Sequence, residues 1–398
     1  MTNQALIRNN RIAVTRPNWS REVGVEYTFK TRIFTARDGT ETRESLRLSA
    51  RVSLQYNTVL SRNKIARYAA DLRKGLDGLF AVRAEWLPAR VDSLVSAGAS
   101  TIPVTETPRW LVAGCQIVVT TGTHEDLFTV SAVASDTITI DGTTSADYAE
   151  GSPVHLAYSA RLPDSFNLNA ETPGVWAGAV RYDVLPGTPV ETFGPAVADT
   201  FENQEVLLLR PNWADRPQFT FTQAREEFDP GMGRSLVQAP QRADHFAAKY
   251  SYAGYNADRV DTLISFFLRH RGRRNSFWCP IWASDIQPSE TDTGSASTFQ
   301  IDGSDFRDAY DDHPVYQAML AVWPDGSHQA NRVTAITGTT DSIVEFSGAW
   351  DESITPDTTI YWLPNCRFDS DVLDVRWLTD TVCEISLPIR SLFAPAGA

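Results

Sequence analysis

The chain has 398 residues, of which 42% are hydrophobic and 21% are charged, and its formal net charge is −13 at pH 7. This composition is typical of a globular protein and excludes a disordered chain. The acidic balance argues against a surface that binds DNA or membranes through positive charge. No apolar run approaches the roughly 18 residues of a membrane-spanning helix. Residues 1–11 lack the apolar centre of a signal peptide, so we expect no export signal.

The four cysteines are widely and irregularly spaced, and no two of them form a CxxC pair. This spacing excludes a zinc ribbon and argues against a disulfide scaffold. We therefore expect buried, reduced thiols in a protein made in a reducing cytoplasm, at Cys115, Cys279, Cys366 and Cys383. The 11 tryptophans favour a β-rich protein with large contact surfaces.

The chain contains an internal repeat. The tetrapeptide Arg-Pro-Asn-Trp occurs at 16–19 and again at 210–213, an offset of 210 − 16 = 194 residues. Alternating apolar residues follow each copy, which predicts a strand with one buried face. The alternating residues are Val23, Val25, Tyr27 and Phe29 in the first copy, and Phe219 and Phe221 in the second. A glycine-bearing turn then follows in each copy, at 37–43 and 229–234.

Each copy then predicts one helix. In the first copy, Ser61 is a suitable N-cap and Gly75 marks the end. In the second, Asn256 is the cap and Gly272 the end. Apolar residues spaced i, i+3, i+4, i+7 and i+8 form a buried stripe on the second helix. The stripe consists of Val260, Leu263, Ile264, Phe267 and Leu268.

The predicted fold class is mainly β, or α+β by strict counting. We expect a tandem duplication of a β-sandwich-like core with one helix, each copy carrying a small inserted β-barrel-like module. Short polar turns within each module predict hairpins at 127–140 and 332–346. The first copy comprises residues 1–97 with 160–200, and its module 98–159. The second copy comprises residues 201–295 with 366–398, and its module 296–365.

We find no catalytic, cofactor-binding or metal-binding motif. His124 and Glu125 begin like the zinc-protease pattern HExxH, but Phe128 stands where the second histidine belongs. The acidic run 302–312 places Phe306 where an EF-hand needs an oxygen ligand, so we predict a solvated loop. Nucleophile-elbow and Walker-type phosphate-loop patterns are also absent. We therefore expect a protein that is not an enzyme and uses no cofactor.

One basic cluster follows the second predicted helix, at Arg269, Arg271, Arg273 and Arg274. The first two or three of these cations are accounted for by complementing the helix dipole. The cluster as a whole could also contact an acidic partner surface, which we favour over nucleic acid. We retain both interpretations, and the four arginines are candidate partner contacts.

The stretch 266–285 resembles a signature of tail-tip proteins in long-tailed bacteriophages and gene transfer agents. In that signature, paired aromatic residues on a helix precede an arginine- and glycine-rich turn, an aromatic strand and an aspartate. The matching residues are Phe266, Phe267, Arg269, Arg271, Gly272, Arg273, Phe277 and Asp285. The inserted module over 137–154, with Tyr148, Gly151 and Val154, also resembles modules of tail-tip components.

The resemblance implies a structural virion protein of the distal-tail or baseplate-hub kind, located at the tail tip. It also implies partners among the tail tube, hub and tape-measure proteins. From the acidic charge and the lack of a long apolar run, we expect neither membrane binding nor specific nucleic-acid binding. Two similar units per chain would let a trimer present six similar faces, joining a six-fold tube to a three-fold hub. We therefore predict a homo-oligomer, as a trimer with pseudo-six-fold symmetry.

Two other functions are compatible with the sequence. Exposed tryptophans could stack on host-surface sugars, with Trp110, Trp176, Trp323 and Trp350 as candidates, although tryptophan is more often a core or interface residue. A cell-wall hydrolase is the third possibility, because some pair among the 49 carboxylates could lie at glycosidase distance.

Overall fold

The computed structural model of the chain describes most of the sequence. It covers residues 11–73, 79–108, 110–162, 167–186, 199–212, 216–239, 241, 243–255, 257–283, 286–289 and 296–393. Strands account for 47% of the chain and helices for 8%, which confirms the mainly β class. No helix of the described residues is long and apolar enough to cross a bilayer.

The first half of the chain contains one helix, α1 (Arg62–Arg73). Its strands are β1 (Arg11–Ile12), β2 (Val23–Thr28), β3 (Thr31–Thr35), β4 (Glu41–Ser45), β5 (Arg51–Ser61), β6 (Phe80–Arg83), β7 (Ala89–Arg90), β8 (Thr101–Pro103), β9 (Gln116–Thr120), β10 (Glu125–Val133), β11 (Thr137–Asp141), β12 (Pro153–Arg161), β13 (Asn169–Thr172) and β14 (Val175–Val184).

The second half contains α2 (Ala257–His270) and α3 (Asp305–Tyr310). Its strands are β15 (Thr200–Phe201), β16 (Gln204–Glu205), β17 (Gln218–Thr222), β18 (Glu226–Phe228), β19 (Leu236–Gln238), β20 (His245–Tyr255), β21 (Phe277–Trp278), β22 (Thr298–Ile301), β23 (Ala318–Val322), β24 (His328–Thr337), β25 (Ser342–Phe346), β26 (Thr359–Trp362), β27 (Asn365–Phe368), β28 (Val372–Trp377) and β29 (Cys383–Ser391).

Eight antiparallel strands form the continuous centre of the fold, in the order β13-β14-β5-β2-β28-β29-β20-β17. One face of this sheet is buried, because apolar residues alternate along its strands. In β2, for example, Val23, Val25 and Tyr27 are buried and the residues between them are partly exposed. The alternation predicted from the sequence over 23–29 is therefore confirmed.

Both predicted helices are present. The helix α1 begins directly after the predicted cap Ser61, and α2 buries the predicted stripe except for the partly buried Leu268. Gly272 follows α2 with φ +62°, a conformation that glycine adopts without steric cost. The predicted cap Asn256 and end residue Gly75 lie outside the described residues.

The two predicted modules connect to the body differently. The strand β12 crosses the predicted boundary at 159, since it pairs with β9 at Val154 and with β14 at Ala160. The first module therefore continues the hydrogen bonding of the central sheet. In the second module, the five-stranded sheet β22-β25-β24-β23-β26 is separate. The predicted hairpins are confirmed as β10–β11 and β24–β25.

The stretch 302–312 is solvated as predicted, with its five aspartates exposed, but it is not entirely a loop, because residues 305–310 form α3. Phe306 and Tyr310, four residues apart on this helix, both pack on Trp362, at ring-centroid distances of 5.7 and 5.1 Å. The two aromatic residues form an apolar i, i+4 pair within a mostly charged stretch, and their packing on Trp362 stabilises the short helix.

Candidate assembly surface

The described residues contain no metal site: no three His, Cys, Asp or Glu side chains are grouped so that they could hold an ion. Each of the four cysteines is buried and unpaired, as predicted. Burial raises the pKa of each thiol, so none of them is a ready thiolate nucleophile.

His124, Asp126 and Ser145 come together on the first module, but their geometry does not suit catalysis. Atom Nε2 of His124 contacts both Ser145 Oγ, at 2.7 Å, and Asp126 Oδ1, at 3.2 Å. A serine–histidine–acid relay needs the two partners on opposite ring nitrogens. Asp126 instead accepts hydrogen bonds from the Ser145 backbone and hydroxyl. Although burial opposes it, this bonding holds the pKa of Asp126 below its usual range, and the cluster fastens a loop.

A cleft of about 380 Å³ opens beside the β3–β4 hairpin. Its wall carries Glu41, Arg332 and Glu202. Arg332 donates to both carboxylate oxygens of Glu202, at 2.6 and 3.0 Å, and Glu41 is paired with Arg367. These charged groups therefore stabilise the chain's own structure.

Some residues of the predicted basic cluster make contacts within the chain. Arg269 forms an ion pair with Glu205 at 2.9 Å, and its guanidinium lies 5.9 Å from the Phe266 ring centroid. Arg271, Arg273 and Arg274 are half-buried, and the Arg273 backbone N–H donates to Asp371 at 3.0 Å. A partner contact through the four arginines stays a prediction.

The aromatic residues that carry the tail-tip resemblance lie in the hydrophobic core. Phe266, Phe267 and Phe277 are buried, and Phe266 packs edge-on against Phe277 at 5.0 Å. Gly272 lies against Asp371, where a Cβ atom would come within 2.7 Å of the carboxylate. These residues therefore act through packing. Asp285 lies outside the described residues.

Three of the four candidate sugar-binding tryptophans are core residues. Trp110, Trp323 and Trp350 are buried, and the first two donate their ring N–H groups to backbone oxygens. Only Trp176 of the four is exposed, with 36% of its surface accessible. No platform of stacked tryptophans is therefore built from these four side chains.

The two halves of the chain meet where β2 pairs with β28, and we call this pairing the internal joint. Six residue pairs, from Val23 with Trp377 to Thr28 with Val372, form a regular antiparallel ladder. Trp377 also stacks on Trp86 of the first half, at 6.0 Å. The joint is thus both hydrogen-bonded and apolar.

The β3–β4 hairpin reinforces the internal joint, because it extends from the first half over the second. Thr31 donates its backbone N–H and its hydroxyl to the Asp371 carboxylate, at 2.7 and 2.8 Å. Glu41 pairs with Arg367 at 2.7 Å, and both side chains are buried. Burial opposes ionisation of Glu41, but Arg367 holds the pKa of its carboxyl below the usual range.

The central sheet ends in two outer edges, β13 and β17. Within the described residues, β13 pairs only with β14, and β17 pairs only with β20. All four residues of β13 are exposed, and so are four of the five in β17. The hairpin β18–β19, which follows β17, exposes large apolar side chains at Phe228, Met232, Leu236 and Val237. Such edges are open templates for pairing with another strand.

Sequence reasoning identified the residues of these edges but not their position. Phe219 and Phe221 gave a strand signal, yet a pattern of side chains does not reveal which strand lacks a neighbour. The sequence signal for the position of β17 was the repeat itself, since β2 and β17 occupy equivalent positions after the two copies of Arg-Pro-Asn. Trp213, the last residue of the second tetrapeptide, lies outside the described residues. The sequence matches no protein-family model, and no curated protein is significantly similar to it.

Proposed function

We propose that this chain is a structural protein of a bacteriophage tail tip, which forms a trimeric ring with pseudo-six-fold symmetry between the tail tube and the hub. The single observation that carries the ring is a repeated strand register. Tyr27 lies opposite Val52 in the pair β2–β5, and Phe221 lies opposite Phe246 in the pair β17–β20. In the sequence, each strand of the second pair follows its counterpart in the first pair by 194 residues. This is the offset that separates the two Arg-Pro-Asn-Trp tetrapeptides.

The match holds along the whole ladder. All five residue pairs of β2–β5, from Gly24 with Gln55 to Thr28 with Arg51, have counterparts at this offset in β17–β20. Independent strands would agree in neighbours, direction and register only by coincidence, because register is set separately by each strand's pattern and turns. The match supports a duplication of the kind inferred from the tetrapeptide.

A second set of strands repeats in the same way with a longer offset. Arg161 lies opposite Asp183 in β12–β14, and Arg367 lies opposite Arg390 in β27–β29. The sequence offset from β12 to β27 is therefore almost the same as the offset from β14 to β29. For the pairs β13–β14 and β28–β29, the sequence offset is the same for both strands. Asn169 lies opposite Ala177 in the first pair, and Arg376 lies opposite Glu384 in the second, a shift of 376 − 169 = 384 − 177 = 207 in both strands.

In this proposal the central sheet consists of two equivalent units in tandem. The first unit is β13-β14-β5-β2 and the second is β28-β29-β20-β17, joined head to tail at the internal joint. A head-to-tail contact closes into a ring when its rotation divides a full turn, and otherwise continues into a filament. Three chains with two units each would present six similar units around a three-fold axis.

The place of this ring at a phage tail tip rests on the resemblance over 266–285. The matching residues Phe266, Phe267 and Phe277 form core, and Gly272 packs tightly against Asp371. The aromatic and glycine part of this signature packs in the core, which suits a structural protein better than an enzyme, whose signature residues would face a pocket.

Labelling tests the location. An antibody raised against the purified chain, applied to tailed particles from the same source, should mark the distal end of the tail in negatively stained images. Tube-wall labelling along the whole tail, or labelling absent from purified particles but present in the lysate, would contradict the proposal. An antibody against the major tail tube protein serves as the control for access.

A further inference from the structure

We propose that β17 of one chain pairs with β13 of a second copy, in the register that β2 and β28 have within the chain. The inference rests on the proposed ring and names the surfaces that would close it. The partner of each outer edge is a second copy of this chain, because the two outer edges correspond to the two strands of the internal joint. The strand β17 corresponds to β2, and β13 corresponds to β28.

The exposure of equivalent residues supports this pairing. Tyr27 at the internal joint is 3% exposed, whereas its counterpart Phe221 on the outer edge is 61% exposed. Burying one phenylalanine side chain strengthens an association by roughly tenfold to a hundredfold relative to leaving it in water. The outer edge therefore carries the equivalent apolar residue, which the described part of the chain leaves largely uncovered.

The register of the contact follows from the two offsets. Gly24 pairs with Arg376 at the internal joint, and their counterparts are Gln218 and Asn169. Gln218 of one chain should therefore lie opposite Asn169 of the next chain. By the same rule, Thr220 should lie opposite Asn167.

The neighbouring hairpin fits the same contact. At the internal joint, β3–β4 follows β2 and lies on the other half through Thr31 and Glu41. The hairpin β18–β19 follows β17 in the same position along the chain, and its exposed Phe228 and Leu236 provide an apolar surface. A second copy would cover this hairpin as the second half covers β3–β4.

A disulfide between two introduced cysteines tests the register. The full-length variant Gln218→Cys with Asn169→Cys places two thiols directly opposite each other, where Cβ atoms are about 4.5–5.5 Å apart. Seven strand spacings separate the two edges along the sheet, on the order of 30 Å, and separation of monomer from higher bands on the gel distinguishes a bond within one chain from a bond between chains. The four native cysteines are buried and do not compete.

Mild oxidation of this variant should give a covalent ladder on a denaturing gel that ends at three chains. The matched control is Gln218→Cys with Glu171→Cys, which moves one thiol two residues along β13. Diagonal residues are about 7–8 Å apart and their Cβ atoms somewhat less, which is still beyond the roughly 3.5–4.5 Å between Cβ atoms in a disulfide. Equal cross-linking of both variants, or none in either, would overturn the proposed register.

A surface substitution tests the pairing without cysteines. Phe221→Asp should lower the association constant by roughly tenfold to a hundredfold, as expected from loss of one buried phenylalanine. The control Leu94→Asp changes another exposed apolar residue, close in sequence to the first module, and should leave association unchanged. Far-ultraviolet circular dichroism checks that both variants fold.

The outcomes separate the two proposals. A stable trimer that Phe221→Asp does not weaken would overturn the pairing and leave the ring standing. A chain that stays monomeric at high concentration would overturn both. Association only with a different tail protein, weakened by Phe221→Asp, would assign the edges to that protein and overturn pairing with a second copy.

Discussion

Glu41 and Arg367 form a buried ion pair 326 residues apart in sequence, with side chains 5% and 2% exposed. The pair ties the β3–β4 hairpin to β27 of the other half. Arg367 also donates to Asp369, at 2.7 Å. Removing one partner of a buried pair leaves an uncompensated charge, which is strongly destabilising.

Glu41→Gln should therefore lower the free energy of unfolding by about 3 kcal/mol. Urea denaturation followed by tryptophan fluorescence measures this change. The control is Asp183→Asn, since Asp183 pairs with Arg181 on the surface, with both side chains about half exposed. That change should cost less than about 1 kcal/mol. Equal effects of the two substitutions would show that the buried pair does not hold the hairpin.

Buried histidines predict a loss of stability in mild acid. Burial lowers the pKa of His155, His245 and His270, although Glu205 opposes this at His270 and Arg269 adds to it. The unfolded chain therefore binds protons before the folded chain as pH falls below about 6.5. Stability is fully present above that pH and decreases as the pH falls through it.

Urea denaturation at pH 7.5 and pH 5.5 measures this decrease. His270→Gln should reduce the difference in unfolding free energy between the two pH values, because it removes one of the titrating groups. A wild-type protein equally stable at both pH values would contradict the prediction.

The glycine after α2 should tolerate no larger residue. Gly272 has φ +62°, and a Cβ atom there would lie 2.7 Å from the Asp371 carboxylate oxygen and 3.1 Å from its Cα. Gly98 also has positive φ, but its Cβ position is open. Gly98→Ala should cost about 1–2 kcal/mol for the backbone conformation alone.

Gly272→Ala should cost clearly more than Gly98→Ala, because Asp371 must move and its bonds to Thr31 and Arg273 weaken. Thermal unfolding of the two variants under identical conditions gives the comparison. Similar melting temperatures would mean that the contact between Gly272 and Asp371 is not tight.

Local patterns predicted the regular elements well. The stripe from Val260 to Leu268 and the alternation over 23–29 identified α2 and β2, because each pattern has the period of its structure. The short helix α3 was missed, because Phe306 and Tyr310 gain their partner Trp362 only in the fold. The sequence revealed the repeat but not that β17 is an edge strand. The side-chain pattern of a strand, such as Phe219 and Phe221, does not show whether a second strand pairs with it.

The most direct test is the copy number and strand pairing of the assembled protein, from an electron cryomicroscopy map of the purified full-length chain. We predict a closed ring of three chains, in which β17 continues into β13 of the next chain with Gln218 opposite Asn169. A ring of six chains, or a three-chain ring with other strands at the interface, would contradict it.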